Sequence, residues 1–334
     1  MAHCIWSANT LILSGGGAKS VACIGSLNIL HENGILDNIN RYAGTSAGAI
    51  LCVFLNIGFT PNEIEKAMFT QNSSMVSDSF YTIPINLIFS YGLFTGNKII
   101  NYIKSLLKKK GFDENITFNQ LYIKTNKILV LTGTSLSIRD TFYFNNFTSP
   151  DMKVIDALRI SISIPFYFTC VNYTIENKVH TFVDGGILQN FPMYYFKICD
   201  LLDKYIYTSK ELHISKRDFQ NQDISLKCEK SIGIMLISDD DEIDVNDFYK
   251  GYNSIVNISS YILELMNTML NKIEQDNFVN PITGSKNDFF ENVICIKIPN
   301  NVSAINFNLS KEIKNQLIHS GQDSAKKLLN ISNN

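Results

Sequence analysis

A chain of 334 residues with 45% hydrophobic and 11% aromatic side chains can bury a large core, which excludes an intrinsically disordered polymer. Its 29 basic and 31 acidic residues nearly cancel, so there is no long-range field to attract nucleic acid or an anionic surface; no nucleic-acid partner is expected, and any partner must be argued from a local site. The seven cysteines are odd in number and scattered, without the short paired spacings of metal sites or disulfide scaffolds, so a reduced interior and no metal are expected.

The chain opens on Met1, Ala2, His3 and Cys4, with neither a basic region followed by an apolar stretch nor a small-residue cleavage site. No run reaches the roughly 18 consecutive apolar residues of a spanning helix. The expected location is the cytoplasm, peripheral to membranes at most, with export lacking a cleaved signal left open.

Two successive units then follow one plan: short apolar run, glycine-rich turn, helical periodicity. Thr10 to Leu13 leads into Ser14-Gly15-Gly16-Gly17, and Val21, Ile24 and Leu27 continue at helical spacing up to Gly34. Asn40 to Ala43 leads into Gly44-Thr45-Ser46-Ala47-Gly48, and Ile50, Leu51, Phe54 and Leu55 predict a buried helix closing at Gly58. Strand, tight turn and helix, twice over, predict an α/β fold with a parallel sheet and its turns gathered at one edge.

Ile83 to Phe89 is an apolar stretch containing Pro84, readable as core or as a cover or interfacial contact. Asn97 is expected to cap a helix that ends in Lys108, Lys109 and Lys110, with Gly111 stopping it. Lys127 to Thr134 and Thr141 to Phe144 read as strands, and Lys153 to Ser161 as a helix. Tyr173 to Ile175 and Val179 to Val183, joined at Glu176-Asn177-Lys178, read as a hairpin that delivers the chain to Asp184-Gly185-Gly186. The polar stretch from about Ser209 to Lys230 reads as a surface insertion, Ile232 to Ile237 as a core strand, and Asp239 to Glu242 as a solvated loop lacking calcium-loop spacing. A helix over roughly Tyr249 to Glu274, a strand at Val293 to Ile298 and a helix from Ser310 onward complete the prediction.

Three of these turns could carry chemistry. Gly44-Thr45-Ser46-Ala47-Gly48 between strand and helix has the nucleophile-elbow spacing, in which small flanking residues hold a serine hydroxyl above the sheet; Ser46 could equally be a helix cap. Gly15-Gly16-Gly17 lets backbone N–H groups approach an anion, either a tetrahedral oxyanion or a phosphate. A phosphate loop needs glycine where Leu13 and Ala18 stand, and a dinucleotide fingerprint needs it at Ser20. Asp184-Gly185-Gly186 could be a plain turn.

Taken together and in this order, the three blocks resemble the patatin-like phospholipase family. Gly92-Leu93-Phe94-Thr95-Gly96, Ser161-Ile162-Ser163-Ile164-Pro165-Phe166 and Asn190-Phe191-Pro192 also match family segments, and the resemblance covers most of the chain. The pattern departs at Ser20, where the family carries glycine. The resemblance implies a three-layer sandwich with a largely parallel central sheet flanked by helices. It implies Ser46 as nucleophile, Asp184 as general base and Gly15, Gly16 and Gly17 as oxyanion donors. Lys19 would brace the loop, with Gly44, Gly48, Gly185 and Gly186 supporting the motifs. The implied activity is that of a lipid acyl hydrolase without a cofactor, acting on a phospholipid or other acyl-ester lipid through transient membrane-surface contact, with any activating protein partner unspecified. One domain is expected over residues 1–334: a core at about 8–205, a polar insertion at 206–230, and strands and helices of 231–334 packing on the core. An ordinary aspartate is a weak base, so burial is expected to raise the Asp184 pKa.

Two other readings stand beside this one. A Ser-His-Asp triad would draw on Ser46, an acid around Asp239 and His319, while His3, His31, His180 and His213 have no better claim; a non-catalytic lipid or nucleotide binder would need neither Ser46 nor Asp184.

Overall fold

The computed structural model describes residues 5–69, 78, 80–211, 230–238, 265, 292–299 and 302–331. In chain order its elements are β1 (Thr10–Leu13), α1 (Val21–Glu32), β2 (Arg41–Gly44), α2 (Ala47–Asn56), α3 (Pro61–Phe69), α4 (Ile83–Ser90), β3 (Gly92–Phe94), α5 (Asn97–Lys109), α6 (Phe118–Thr125), β4 (Ile128–Ser135), β5 (Asp140–Phe144), α7 (Val154–Ser161), β6 (Phe166–Phe168), β7 (Val171–Ile175), β8 (Lys178–Asp184), α8 (Tyr195–Leu202), β9 (Ser231–Ser238), β10 (Val293–Ile298) and α9 (Lys311–Leu329).

The main sheet runs β10-β9-β1-β2-β4-β8-β7, with β5 also paired to β4. The five strands from β10 to β4 are parallel; β5, β8 and β7 join antiparallel. Alternation along the strands sorts apolar side chains to two cores, one per face. Leu11 and Leu13 of β1 enter one core with α1 and α2, whereas Ile12 joins Ala43, Val130 and the α8 residues Tyr195, Phe196 and Ile198 in the other. This is the expected α/β architecture of a mostly parallel sheet between helical layers.

Helix α1 buries every residue from Val21 to Leu30, because α9 covers the side that the sheet leaves free. The two helices touch backbone to backbone: a Cβ on Gly25 would lie 1.8 Å from the Ile318 carbonyl oxygen, and one on Gly321 2.0 Å from that of Ala22. Ser26 Oγ donates to the Gly321 carbonyl at 2.7 Å, which fixes the crossing.

The β7–β8 hairpin closes through Glu176 and Asn177, both at positive φ (49° and 62°), the geometry whose twist matches that of the flanking strands. Asn97 proves to be the first helical residue of α5 rather than its cap; Gly96 caps it at φ 71°, a conformation glycine adopts without strain. The core reading of residues 83–89 is overturned. They form α4, with Pro84 tolerated in its first turn and no residue buried; Ile85, Ile88 and Phe89 are 60%, 67% and 76% exposed. Of the expected insertion, residues 206–211 are described, and Ile206 is buried under Tyr195, whose hydroxyl donates to the Ile206 carbonyl at 2.9 Å. Residues 212–229, the acidic run Asp239 to Glu242 and the helix expected over Tyr249 to Glu274, Leu265 excepted, lie outside the described residues.

Candidate active site

The chain turns sharply at the end of β2, and Ser46 takes up φ 53°, ψ −124° immediately before α2. A side chain cannot be fitted beside it: a Cβ at Gly48 would sit 2.5 Å from the Ser14 carbonyl oxygen, and one at Gly44 2.7 Å from that of Gly48. Thr45 anchors the turn through its Oγ1, 2.7 Å from Thr132 Oγ1 and donating to the Gln189 carbonyl at 2.9 Å. The Ser46 side chain caps nothing. Its hydroxyl donates to Asp184 Oδ2 at 2.5 Å.

Asp184 arrives at the end of β8, where β8 pairs antiparallel with β4 and sets Asp184 opposite Gly133. The turn Gly185 to Ile187 then folds back, and the Gly186 N–H donates to Asp184 Oδ1 at 2.7 Å. Both carboxylate oxygens are thereby occupied in a buried site. Burial pushes the Asp184 pKa up to about 7, against the opposing pull of the hydrogen bonds from Ser46 and Gly186.

The glycine loop leaves β1 beside this pair. Gly15 is pressed against it, since a Cβ there would lie 3.1 Å from Ser46 Cβ and 2.3 Å from Asn190 Oδ1. The Gly15 N–H donates to the Asn190 carbonyl at 3.1 Å, so that amide is engaged within the protein. Gly16 and Gly17 N–H groups have no acceptor among the described residues. Gly17 stands at φ 54° with the Ala304 carbonyl oxygen 2.1 Å from where its Cβ would be, and the next amide, of Ala18, donates to that same oxygen at 2.7 Å. Lys19 closes the turn through its backbone, its N–H donating to the Gly16 carbonyl at 3.1 Å. Ser20 is fully buried, with a hydroxyl that finds no partner among the described residues.

The described histidines lie elsewhere. His180 Nδ1 is 3.1 Å from Ser135 Oγ, and its ring packs against Phe142 and Phe182. His319 is 72% exposed on α9, 3.4 Å from Asp323. His3, His213 and the acids around Asp239 are outside the described residues, within which no cluster of three or more His, Cys, Asp or Glu could hold a metal. Three residues close to the pair were visible only as parts of motifs: Asn190, which brackets Gly15, and Ser161 and Ser163, which receive the backbone amides of Ser46 and Asp184.

A family model described as Patatin-like phospholipase matches residues 11–197, more than half of the chain. A protein of Invertebrate iridescent virus 6 named as a probable lipid hydrolase is 30% identical over 190 residues, 55% of this chain and 61% of that protein. An uncharacterised protein of Acanthamoeba polyphaga mimivirus is 29% identical over 318 residues, 95% of this chain and 92% of its own length. The crystal structure of VipD from Legionella pneumophila superposes with a TM-score of 0.58 at 16% identity, covering 97% of this chain and 67% of that one, a likeness of fold.

Proposed function

We propose that this chain, which belongs to the patatin-like phospholipase family, hydrolyses fatty-acyl esters of lipids with Ser46 as nucleophile and Asp184 as general base. The observation that carries the reading is the 2.5 Å bond from Ser46 Oγ to a buried carboxylate whose other oxygen is held by Gly186. A structural serine at a helix start would cap the helix, and a binding loop needs no dehydrated base.

The steps follow from the geometry. As Ser46 Oγ bonds to the ester carbonyl carbon, its proton passes to Asp184 Oδ2 and the carbonyl electron pair becomes an oxyanion. Gly16 and Gly17 N–H groups, at the positive end of the turn into α1, are the donors we assign to that oxyanion; Gly15 supports them by holding Asn190. Each such donor contributes on the order of 3 kcal/mol in comparable sites. Collapse expels the alcohol, which takes the proton back from Asp184, and water then releases the fatty acid by the same route.

The substrate is a glycerolipid or other long-chain ester presented at a membrane, where α4 exposes an apolar face. No helix among the described residues is long and apolar enough to cross a membrane.

A fluorophosphonate probe tests the assignment. Wild-type protein is labelled at Ser46, and Ser46→Ala loses both labelling and ester hydrolysis while still folding, because alanine fits the same turn. Label on another serine, or turnover by the alanine variant, overturns it.

A further inference from the structure

Ser161 and Ser163 lie two residues apart where α7 ends, and each receives the backbone amide of one member of the reactive pair. The Ser46 N–H donates to Ser161 Oγ at 3.0 Å, and the Asp184 N–H donates to the Ser163 carbonyl at 2.8 Å. Both serines are fully buried. Strand β2, which leads into the turn at Ser46, and β8, which ends on Asp184, do not pair with each other; each pairs with β4 instead. The short segment from Ser161 to Ser163 therefore ties the two backbones together directly. Ser46 has particular need of it, since a non-glycine residue at φ 53° is held there by its surroundings.

The segment is itself locked. Ser163 Oγ donates to the Arg159 carbonyl at 2.6 Å and accepts from Arg159 Nη1 at 2.6 Å. Arg159 Nη2 donates to the carbonyl and Oγ1 of Thr169 at 2.9 and 2.8 Å, so one guanidinium spans the stretch that includes Pro165 and β6. Burial lowers the Arg159 pKa to about 10, which leaves it a cation at neutral pH. The glycine-bracketed turn covers this brace. A Cβ at Gly96 would lie 3.2 Å from Arg159 Nε, and one at Gly92 2.3 Å from the Phe168 backbone.

We infer that Ser161 and Ser163 are positioning residues that set the spacing between nucleophile and base, with Arg159 locking Ser163. The inference rests on the Ser46–Asp184 reading above. Displacing a reacting group by about 1 Å costs on the order of 100-fold in rate, so loosening either tie should register in kcat.

The test compares Ser161→Ala, Ser161→Cys, Arg159→Met and Arg159→Lys in the full chain on a soluble short-chain ester, with active sites counted by fluorophosphonate titration. Per titrated site, Ser161→Ala should lose about 10- to 100-fold in kcat with KM within about threefold. Ser161→Cys, close in size and with a weak sulfur acceptor, should recover part of that loss. Arg159→Met should lower kcat likewise, and Arg159→Lys, which keeps the charge but not the fork, should fall between it and wild type. A purely structural role would lower the melting temperature or the titratable fraction and leave kcat per site untouched. Values within about twofold of wild type for Ser161→Ala and Arg159→Met overturn the inference. Should Ser161→Ala fail to fold, Arg159→Met decides by the same ratio. Ser46→Ala, run alongside, separates the failures: if it is dead while the brace variants are normal, the brace alone falls, and if it is active, the pair falls too.

Discussion

In the proposed mechanism Asp184 serves as a base although an aspartate is ordinarily too acidic for the task. Its pKa of about 7 comes from burial, and the sign of its consequences can be worked out. Turnover needs the ionised carboxylate, so kcat should rise with pH through about 7 and level off above it. Stability moves the other way. Between about 4 and about 7 the unfolded chain has lost this proton and the folded chain keeps it, so stability falls as pH rises through that window. The full penalty, roughly 4 kcal/mol for that displacement, is present above it. Asp184→Asn should therefore melt a few degrees above wild type at pH 8, match it near pH 4, and lose about 10²- to 10⁴-fold in kcat. Thermal melts at the two pH values, with kcat measured in parallel, check both halves. A variant that loses activity without gaining stability at pH 8 would mean that the carboxylate is not held against a burial penalty.

Elements whose sequence carried a backbone constraint were legible in advance. The turns at Gly15 to Gly17 and Gly44 to Gly48, the hairpin at Glu176-Asn177 and the arrival of Asp184 at a strand end follow from steric rules local to the chain. What was not legible depends on contacts across it. Three glycine amides looked equivalent, and only Asn190, far along the sequence, engages that of Gly15. The roles of Ser161 and Ser163 lie in the amides they receive, which no spacing reveals. The apolar run at residues 83–89 stayed open between core and cover for the same reason, because hydrophobicity states that a surface wants a partner and not whether the fold provides one. In α4 it provides β3 on one side and leaves Ile85, Ile88 and Phe89 open, with the exposed Tyr81 and Tyr91 just beyond its two ends. Aromatic residues with polar tips flanking an apolar helix suit a lipid–water boundary. Ile88→Glu and Phe89→Glu should thus cut hydrolysis of vesicle lipid by about tenfold or more and leave a soluble ester and the melting temperature unchanged. Equal loss on both substrates would return α4 to a structural role.

At the scale of the whole molecule, the family match ends at residue 197, yet the glycine loop is finished by residues beyond it. β9 pairs along β1, Leu236 donates its N–H to Ser14 Oγ at 3.3 Å, and the Ala304 carbonyl receives the Ala18 amide at the end of the loop. α9 then clamps α1, the helix that the loop feeds, through contacts at Gly25 and Gly321 that admit no side chain. We propose that the C-terminal part is integral to the catalytic core, holding the amides of Gly16 and Gly17 where the oxyanion forms. Gly321→Val makes the case testable, because its added carbons would meet the Ala22 carbonyl and force α9 away from α1. The expected outcome is a loss of stability of roughly 1–3 kcal/mol, together with a fall in kcat per titrated site that exceeds any change in KM, since the displaced loop serves the transition state more than substrate binding. Gly58→Val, strained at a positive-φ turn with open space around it, provides a control that loses stability without touching the loop or α9. If Gly321→Val lost stability to the same degree as this control but kept wild-type kcat, the clamp would matter only to folding, and the loop would owe its shape to Asn190 and its own glycines.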